Sequence, residues 1–175
     1  MSWYDKIYDI KDFEIQGGIF TNGCFDIIHK GHIELFKFCH NYRARKDFTL
    51  DNWHSKIIVG VNSDSSIKKL KGNDRPIMDQ DNRLSILNAI SFIDYIVLFD
   101  TESVLPLIQK IKPKVLVKGG NYNTKPCAIQ EQIVGQEFVE SYGGKVITAP
   151  MVEGISTSNI LERISRNNHV IQHTR

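Results

Sequence analysis

The chain has 175 residues, 41% hydrophobic and 24% charged, with a formal net charge of +2. That length suits a single domain with a substantial core, and the near-balanced charge gives no reason to expect a nucleic-acid or membrane partner. No apolar run approaches a membrane span, Met1-Ser2-Trp3-Tyr4-Asp5 does not open like a signal peptide, and Cys24, Cys39 and Cys127 form no CxxC pair. Reduced thiols in a cytoplasmic protein are the expectation.

Residues 1–16 mix aromatics (Trp3, Tyr4, Tyr8, Phe13) with charges, which reads as an amphipathic lead-in packed on the core or on a partner subunit. Gly18-Ile19-Phe20-Thr21 then starts a strand, and the stretch TNGCFDIIHKGH (21–32) follows as a tight glycine loop entering a helix. The helix is marked by Ile33, Leu35, Phe36, Phe38 and Cys39, with Glu34 and Lys37 turned outward. A strand, a tight loop and a helix start make a natural phosphate site, because unpaired amides and the helix dipole both favour negative charge. His29 and His32 stand three apart at the helix entry, so both rings can point to one side. Gly31 between them removes a side chain where a ligand would approach the backbone. Two imidazoles there can donate to phosphoryl oxygens gaining charge. The same pair also fits a helix cap or a metal site, the metal being the weakest reading without a local cysteine pair or HExxH. Cys24 inside the loop reads as a small packing residue rather than a nucleophile.

Residues 41–55 (NYRARKDFTLDNWHS) read as a solvated helix end and a loop held down by aromatics. Lys56–Val61 is a continuous apolar run, as in a buried parallel strand, and Asn62-Ser63-Asp64 supplies turn and cap chemistry for a short helix to Leu70. Lys68, Lys69 and Lys71 crowd its end before Gly72 and Arg75-Pro76. Asp79 caps a helix to about Ile90 whose buried side carries Leu84, Leu87 and Ile90; Arg83 reads as a surface residue of that helix. Strand 95–99, helix 103–111 (stopped at Lys112-Pro113) and strand 115–117 follow, the last delivering Lys118-Gly119-Gly120 at its end. Helix 127–141 closes with Tyr142-Gly143-Gly144, residues 145–148 form the last strand, and a helix opened by Ser156-Thr157-Ser158 ends near Ser165 before a frayed polar tail, 166–175.

The strand–helix alternation predicts an α/β fold: a Rossmann-like, doubly wound parallel sheet of about five strands in one domain spanning 1–175. Ligands of such sheets sit at the carboxyl ends of the strands, where the glycine loop, Asn62-Ser63-Asp64 and Lys118-Gly119-Gly120 all fall.

GCFDIIHKGH fits G-x-F-D-x-x-H-x-G-H, and the chain thereby resembles the cytidylyltransferase-like nucleotidyltransferases. The resemblance continues through VGVNSD (59–64), LKG (70–72), RP (75–76), VLVKGGNY (115–122) and GISTSNI (154–160), covering about Gly18 to Ile164. TNGCFD, LKG-x-x-RP and LVKGG-x-Y are most similar to the branch that adenylylates D-glycero-D-manno-heptose 1-phosphate. The resemblance implies transfer of a nucleoside monophosphate from ATP or another nucleoside triphosphate to a sugar phosphate, with Mg²⁺ accompanying the triphosphate and a homodimer as the assembly. It implies that His29 and His32 contact the triphosphate, His32 nearest the reacting phosphate, with Lys71 and Lys118 as further phosphate ligands. Thr21, Asn22, Gly23 and Phe25 would form the floor of the loop, and Asp26 would brace it or help position Mg²⁺. Arg75, Arg83 and the hydroxyls of Ser156, Thr157 and Ser158 would face phosphates.

Two other functions are compatible with these motifs. Glycerol-3-phosphate cytidylyltransferases share HxGH and GIST, but their Arg-Thr-x-Gly-Ile-Ser-Thr-Thr pattern meets Met151, Val152 and Ser158 here. Relatives usually carry aspartate where Asn121 stands, and they pass from the first helix to the next strand in a few residues, which makes 41–55 an insertion by the resemblance. A nucleotide sensor without turnover would keep the cleft, and intact His29, Gly31 and His32 argue against it.

Overall fold

A computed structural model describes residues 6–44, 56–119 and 133–172, with side chains to 167. The expected insertion beyond residue 44, Gly120, Asn121, residues 127–132 of the helix expected over 127–141 and the last residues of the tail lie outside the described residues.

Twelve elements alternate along the described chain: β1 Ile7–Asp9, β2 Ile19–Gly23, α1 Lys30–Arg43, β3 Ile57–Asn62, α2 Asp64–Lys71, α3 Gln80–Asn88, β4 Tyr95–Phe99, α4 Leu105–Ile111, β5 Val115–Gly119, α5 Gln136–Ser141, β6 Lys145–Ala149 and α6 Thr157–Gln172. The strands form one sheet in the order β1-β4-β3-β2-β5-β6, and every pairing is parallel. The sheet has six strands because the aromatic lead-in holds one of them. Ile7, Tyr8 and Asp9 pair with Ile96, Val97 and Leu98 at the edge, and Tyr8, Phe13 and Tyr95 pack edge to face beside them. The helix α6 runs on to Gln172, through much of the stretch expected to fray.

Alternation along the strands sends apolar side chains to both faces, as a sheet covered on both sides requires. On one face Ile19, Ile57, Val59, Ile96, Val115 and Val117 meet Leu35, Phe36 and Cys39 of α1 and Leu84 and Leu87 of α3. On the other, Phe20, Ile58, Val97 and Leu116 meet Leu107, Ile108 and Ile111 of α4 and Val139 of α5. The short α5 ends as the Tyr142-Gly143-Gly144 signal anticipates: Gly143 has φ +82°, and the amides of Gly143 and Gly144 donate to Glu140 and Val139.

Strand order reverses direction beside β2. From there β3, β4 and β1 extend to one side, β5 and β6 to the other. The ladder between β2 and β5 covers only Ile19–Val115 and Phe20–Leu116. Past that point the strands lose their backbone pairing, and a crevice opens at their carboxyl ends, where such sheets bind ligands. No helix among the described residues is long and apolar enough to cross a membrane.

Candidate active site

A cavity of about 410 Å³ occupies this crevice. Its polar wall is Asn22 and Gly23 from the end of β2, His29, Gly31 and His32 from the entry to α1, and Lys118 and Gly119 from the end of β5. Phe25 and Leu35 lie between them. The opposite wall is apolar: Ala149, Pro150, Met151, Val152 and Ile155, after β6.

The two histidines cap the helix together. His29 is the N-cap of α1, and its Nδ1 accepts from the Gly31 amide at 3.1 Å. The His29 amide in turn donates to His32 Nδ1 at 3.3 Å, closing a capping box made of imidazoles. An Nδ1 that accepts carries no proton, so each neutral ring holds its proton on Nε2. The rings stack at 3.9 Å and line the cavity, which leaves two Nε2–H groups to a ligand. The capping amides of His29 and Gly31 are thus spent on the rings, and the imidazoles take over as the donors. Gly31 is required for the ring as much as for any ligand: a Cβ there would lie 2.9 Å from His29 Cε1.

Electrostatics keep both rings neutral. Burial lowers the His29 imidazole below its ordinary value. Burial, then the His29 ring and the Lys71 ammonium, push His32 down to about 4. Phe25 lies edge-on to His32 at 5.2 Å. Across the crevice Lys118 Nζ donates to Asn22 Oδ1 at 2.6 Å, and burial pushes this ammonium down to about 8. A half-buried cation whose recorded partner is a neutral amide is well prepared for an anion.

The remaining predicted residues occupy different places. Thr21 is fully buried behind the loop, and the Cys24 carbonyl accepts from Arg83. Lys71 is exposed at the end of α2, off the cavity wall, close enough to act on His32 by charge. Asn62 is buried and donates to Ser66 Oγ, while Asp64 receives Arg83 and the Gln80 amide; neither lines the cavity. Ser156 caps the Asn159 amide at 3.1 Å, with Thr157 and Ser158 in the first turn of α6; Ile155 is the residue of this motif that reaches the cavity.

Arg83 is neither the surface residue of the helix pattern nor a phosphate ligand. It is 0% exposed, and its guanidinium donates to Cys24 O (2.6 Å), Asp64 Oδ1 (2.8 Å) and Met78 O (3.1 Å), so no part of it is offered to solvent. Arg75 turns to Asp26 rather than outward, with Nε 2.6 Å from Oδ2 and a second ion-pair contact through its terminal nitrogen. Asp26 Oδ1 accepts the amides of Ile77 and Met78, each at 2.8 Å. Burial alone would raise this carboxyl; the two amides and the guanidinium outweigh it and hold it below the ordinary carboxylate value. Of the two roles expected for Asp26, bracing is the one its contacts match. Both oxygens are committed, and among the described residues no group of three or more His, Cys, Asp or Glu side chains could hold a metal ion.

Sequence reasoning missed the apolar wall at 149–155, which reads locally as an ordinary loop after a strand. The one available signal was the apolar pair Met151-Val152 just ahead of the GIST motif.

Comparison with known proteins agrees with this architecture. The model of a family described as cytidylyltransferase-like matches residues 20–163. The chain is 41% identical over 163 residues to the bifunctional protein HldE of Syntrophotalea carbinolica, covering 91% of this chain and 30% of that protein. To the bifunctional protein HldE of Alcanivorax borkumensis it is 42% identical, covering 94% and 31%, and to that of Geobacter sulfurreducens 44%, covering 83% and 26%. The chain thus spans less than a third of the length of these curated relatives. The crystal structure of the lipopolysaccharide core biosynthesis protein from Thermoplasma volcanium is 20% identical and aligns with a TM-score of 0.55 over 78% of this chain and 98% of that one, a likeness of fold alone.

Proposed function

Because the chain belongs to the cytidylyltransferase-like family, we propose that it is a nucleotidyltransferase acting on a sugar phosphate, with ATP and D-glycero-D-manno-heptose 1-phosphate as substrates. An oxygen of the sugar phosphate attacks the α-phosphorus of the triphosphate, the bond from that phosphorus to the bridging oxygen breaks, and pyrophosphate leaves. The observation that carries this reading is that both histidine Nδ1 atoms accept backbone amides, which leaves two Nε2–H donors on the polar wall that also carries the Lys118 ammonium.

Such a reaction asks the protein for alignment and charge neutralisation more than for proton transfer. The attacking phosphate monoester is already anionic, so no general base is required. A His32 ring that stays neutral well below pH 7 is a poor base and a steady donor. Mg²⁺ belongs in this proposal as part of the substrate, entering on the triphosphate. A cytoplasmic homodimer is part of the same proposal and rests on the motif resemblance.

The testing experiment is pyrophosphate release, with ATP, CTP, GTP and UTP each crossed with heptose 1-phosphate and glycerol 3-phosphate. Turnover confined to ATP with the heptose is expected. Turnover with CTP and glycerol 3-phosphate would reassign the substrates, and nucleotide binding without pyrophosphate release from any pair would overturn the reading.

The Lys118 environment adds a pH dependence. With an ammonium held to about 8, the free protein loses this charge as pH rises through that value. We expect kcat/KM to fall on the alkaline side with an apparent pKa near 8, and the limb to move to higher pH in Lys118→Arg. A wild-type profile that stays flat well past pH 8 would take Lys118 out of the anion site.

A further inference from the structure

We propose that Arg83 is a positioning residue: it fixes the backbone of the glycine loop and, through Phe25, the seat of His32. The proposal rests on the nucleotidyl-transfer reading for its kinetic consequence, but not for its structural one.

Arg83 lies on the stripe of α3 that also carries Leu84 and Leu87, all three buried. An aliphatic side chain would fill that space at lower cost than a desolvated guanidinium. What the planar fork adds is a rigid spread of donors that holds three separated acceptors in fixed directions. Those acceptors come from three segments around the site: Cys24 O in the glycine loop, Met78 O in the loop before α3, and the Asp64 carboxylate at the start of α2. Asp26 answers from the opposite direction, accepting the amides of Ile77 and Met78. The peptides at 24–26 and 77–78 are thereby stitched together twice, and the Met78 residue is held by both its N–H and its C=O.

The residue inside this stitch is Phe25, whose φ of +49° is a left-handed conformation that a residue with a full side chain adopts only when its surroundings impose it. Its ring lies where a Cβ on Gly23 would come within 3.1 Å, and it stands edge-on to His32. Anchoring the carbonyl just before Phe25 therefore sets the ring against which the His32 imidazole rests. His29, which also faces His32, sits at the entry to α1, which Arg83 does not touch; the Lys71 charge sits at the far end of α2, whose first residue Asp64 is one of the three acceptors.

The test compares Arg83→Lys and Asp64→Asn with the parent chain, reading the His32 ring titration by NMR in the ligand-free protein together with kcat and KM. Arg83→Lys keeps the charge and loses the fork. We expect His32 to titrate about one unit or more higher as water reaches a loosened ring, and kcat to fall by about 10–10²-fold with KM changed far less, as for a misplaced donor. Asp64→Asn, which weakens one of the three anchors, is expected to move both readouts the same way by less. A folded Arg83→Lys that melts earlier yet keeps the parental His32 titration and kcat would make Arg83 purely structural and overturn the proposal. Should Arg83→Lys not fold, Asp64→Asn decides alone, and an unchanged His32 titration there overturns it. Since the titration uses no substrate, a wrong substrate assignment leaves this result standing, and a failed titration leaves the substrate assay untouched.

Discussion

Replacing His32 by alanine is expected to lower turnover by about 10²–10³-fold, the usual cost of one preorganised donor, in a protein that still folds. The ring makes one capping bond, with the His29 amide, and an exchangeable cap of this kind is worth about 1 kcal/mol. Two further substitutions separate the roles of its nitrogens. An asparagine amide can place its oxygen where Nδ1 accepts, keeping the cap but not the donor. A glutamine amide can place its N–H near Nε2, keeping a donor but not the cap. We therefore expect His32→Gln to retain more turnover than His32→Asn, and His32→Asn to retain the higher thermal midpoint. The reverse order would mean that His32 acts through the helix start alone. Parental stability should also carry a signature in acid. The unfolded chain takes up a proton near the ordinary histidine value of 6.5, whereas the folded ring resists to about 4. Stability is then lost as pH falls between those two values and is flat with respect to this group above them. His32→Ala should lack that slope.

Asp26→Asn should be the most damaging single-atom exchange in the described chain. The substituted amide can still accept from Ile77 and Met78, but it presents N–H groups to the Arg75 guanidinium and leaves that half-buried cation unpaired. Breaking one side of a buried pair costs about 3–5 kcal/mol, and at this chain length each kcal/mol lowers the midpoint by about 2–4 °C. Calorimetry should therefore show a fall on the order of 10 °C, with nucleotide affinity lost alongside it because the glycine loop is freed from 77–78. A midpoint within a degree or two of the parent would show that the clasp is not under load. In the parent, the depressed carboxyl contributes stability above the ordinary aspartate range. That contribution is lost as pH drops through the lower folded value, a second acid window beneath that of His32.

The site was legible in the sequence wherever its geometry is local. A strand, a glycine turn and a helix start place residues 21–32 relative to one another whatever the rest of the chain does, so the facing of His29 and His32 could be read directly. The five longer strands were legible for a similar reason: each is an apolar run bounded by turn residues, and parallel pairing buries both faces. Two of the cations were not. The helix pattern made Arg83 a surface residue and the resemblance made Arg75 and Arg83 phosphate ligands, because a cation's sequence neighbours do not reveal whether a ligand or a distant carboxylate will face it. Asp26 lies 49 residues from Arg75, and Cys24 lies 59 from Arg83. A clue existed in spacing, since Arg83 stands four residues before Leu87 on the buried stripe of α3. The edge strand β1 escaped because three residues carry too little pattern to declare a period. Its strand state comes from pairing with β4, far along the chain.

The break in the β2–β5 ladder has a consequence for the order in which this protein assembles. Strands β2, β3 and β4 follow one another along the chain and lie side by side, so their pairing closes comparatively short loops. Lys118 and Asn22 are 96 residues apart and meet across a junction with only two paired positions on each strand. Two paired positions give that junction little backbone support of its own. His29 and His32 come with β2 and α1, whereas Lys118 joins them only when β5 has docked. A ligand that needs both has nothing complete to hold until that junction forms, and it would slow unfolding far more than it would speed refolding.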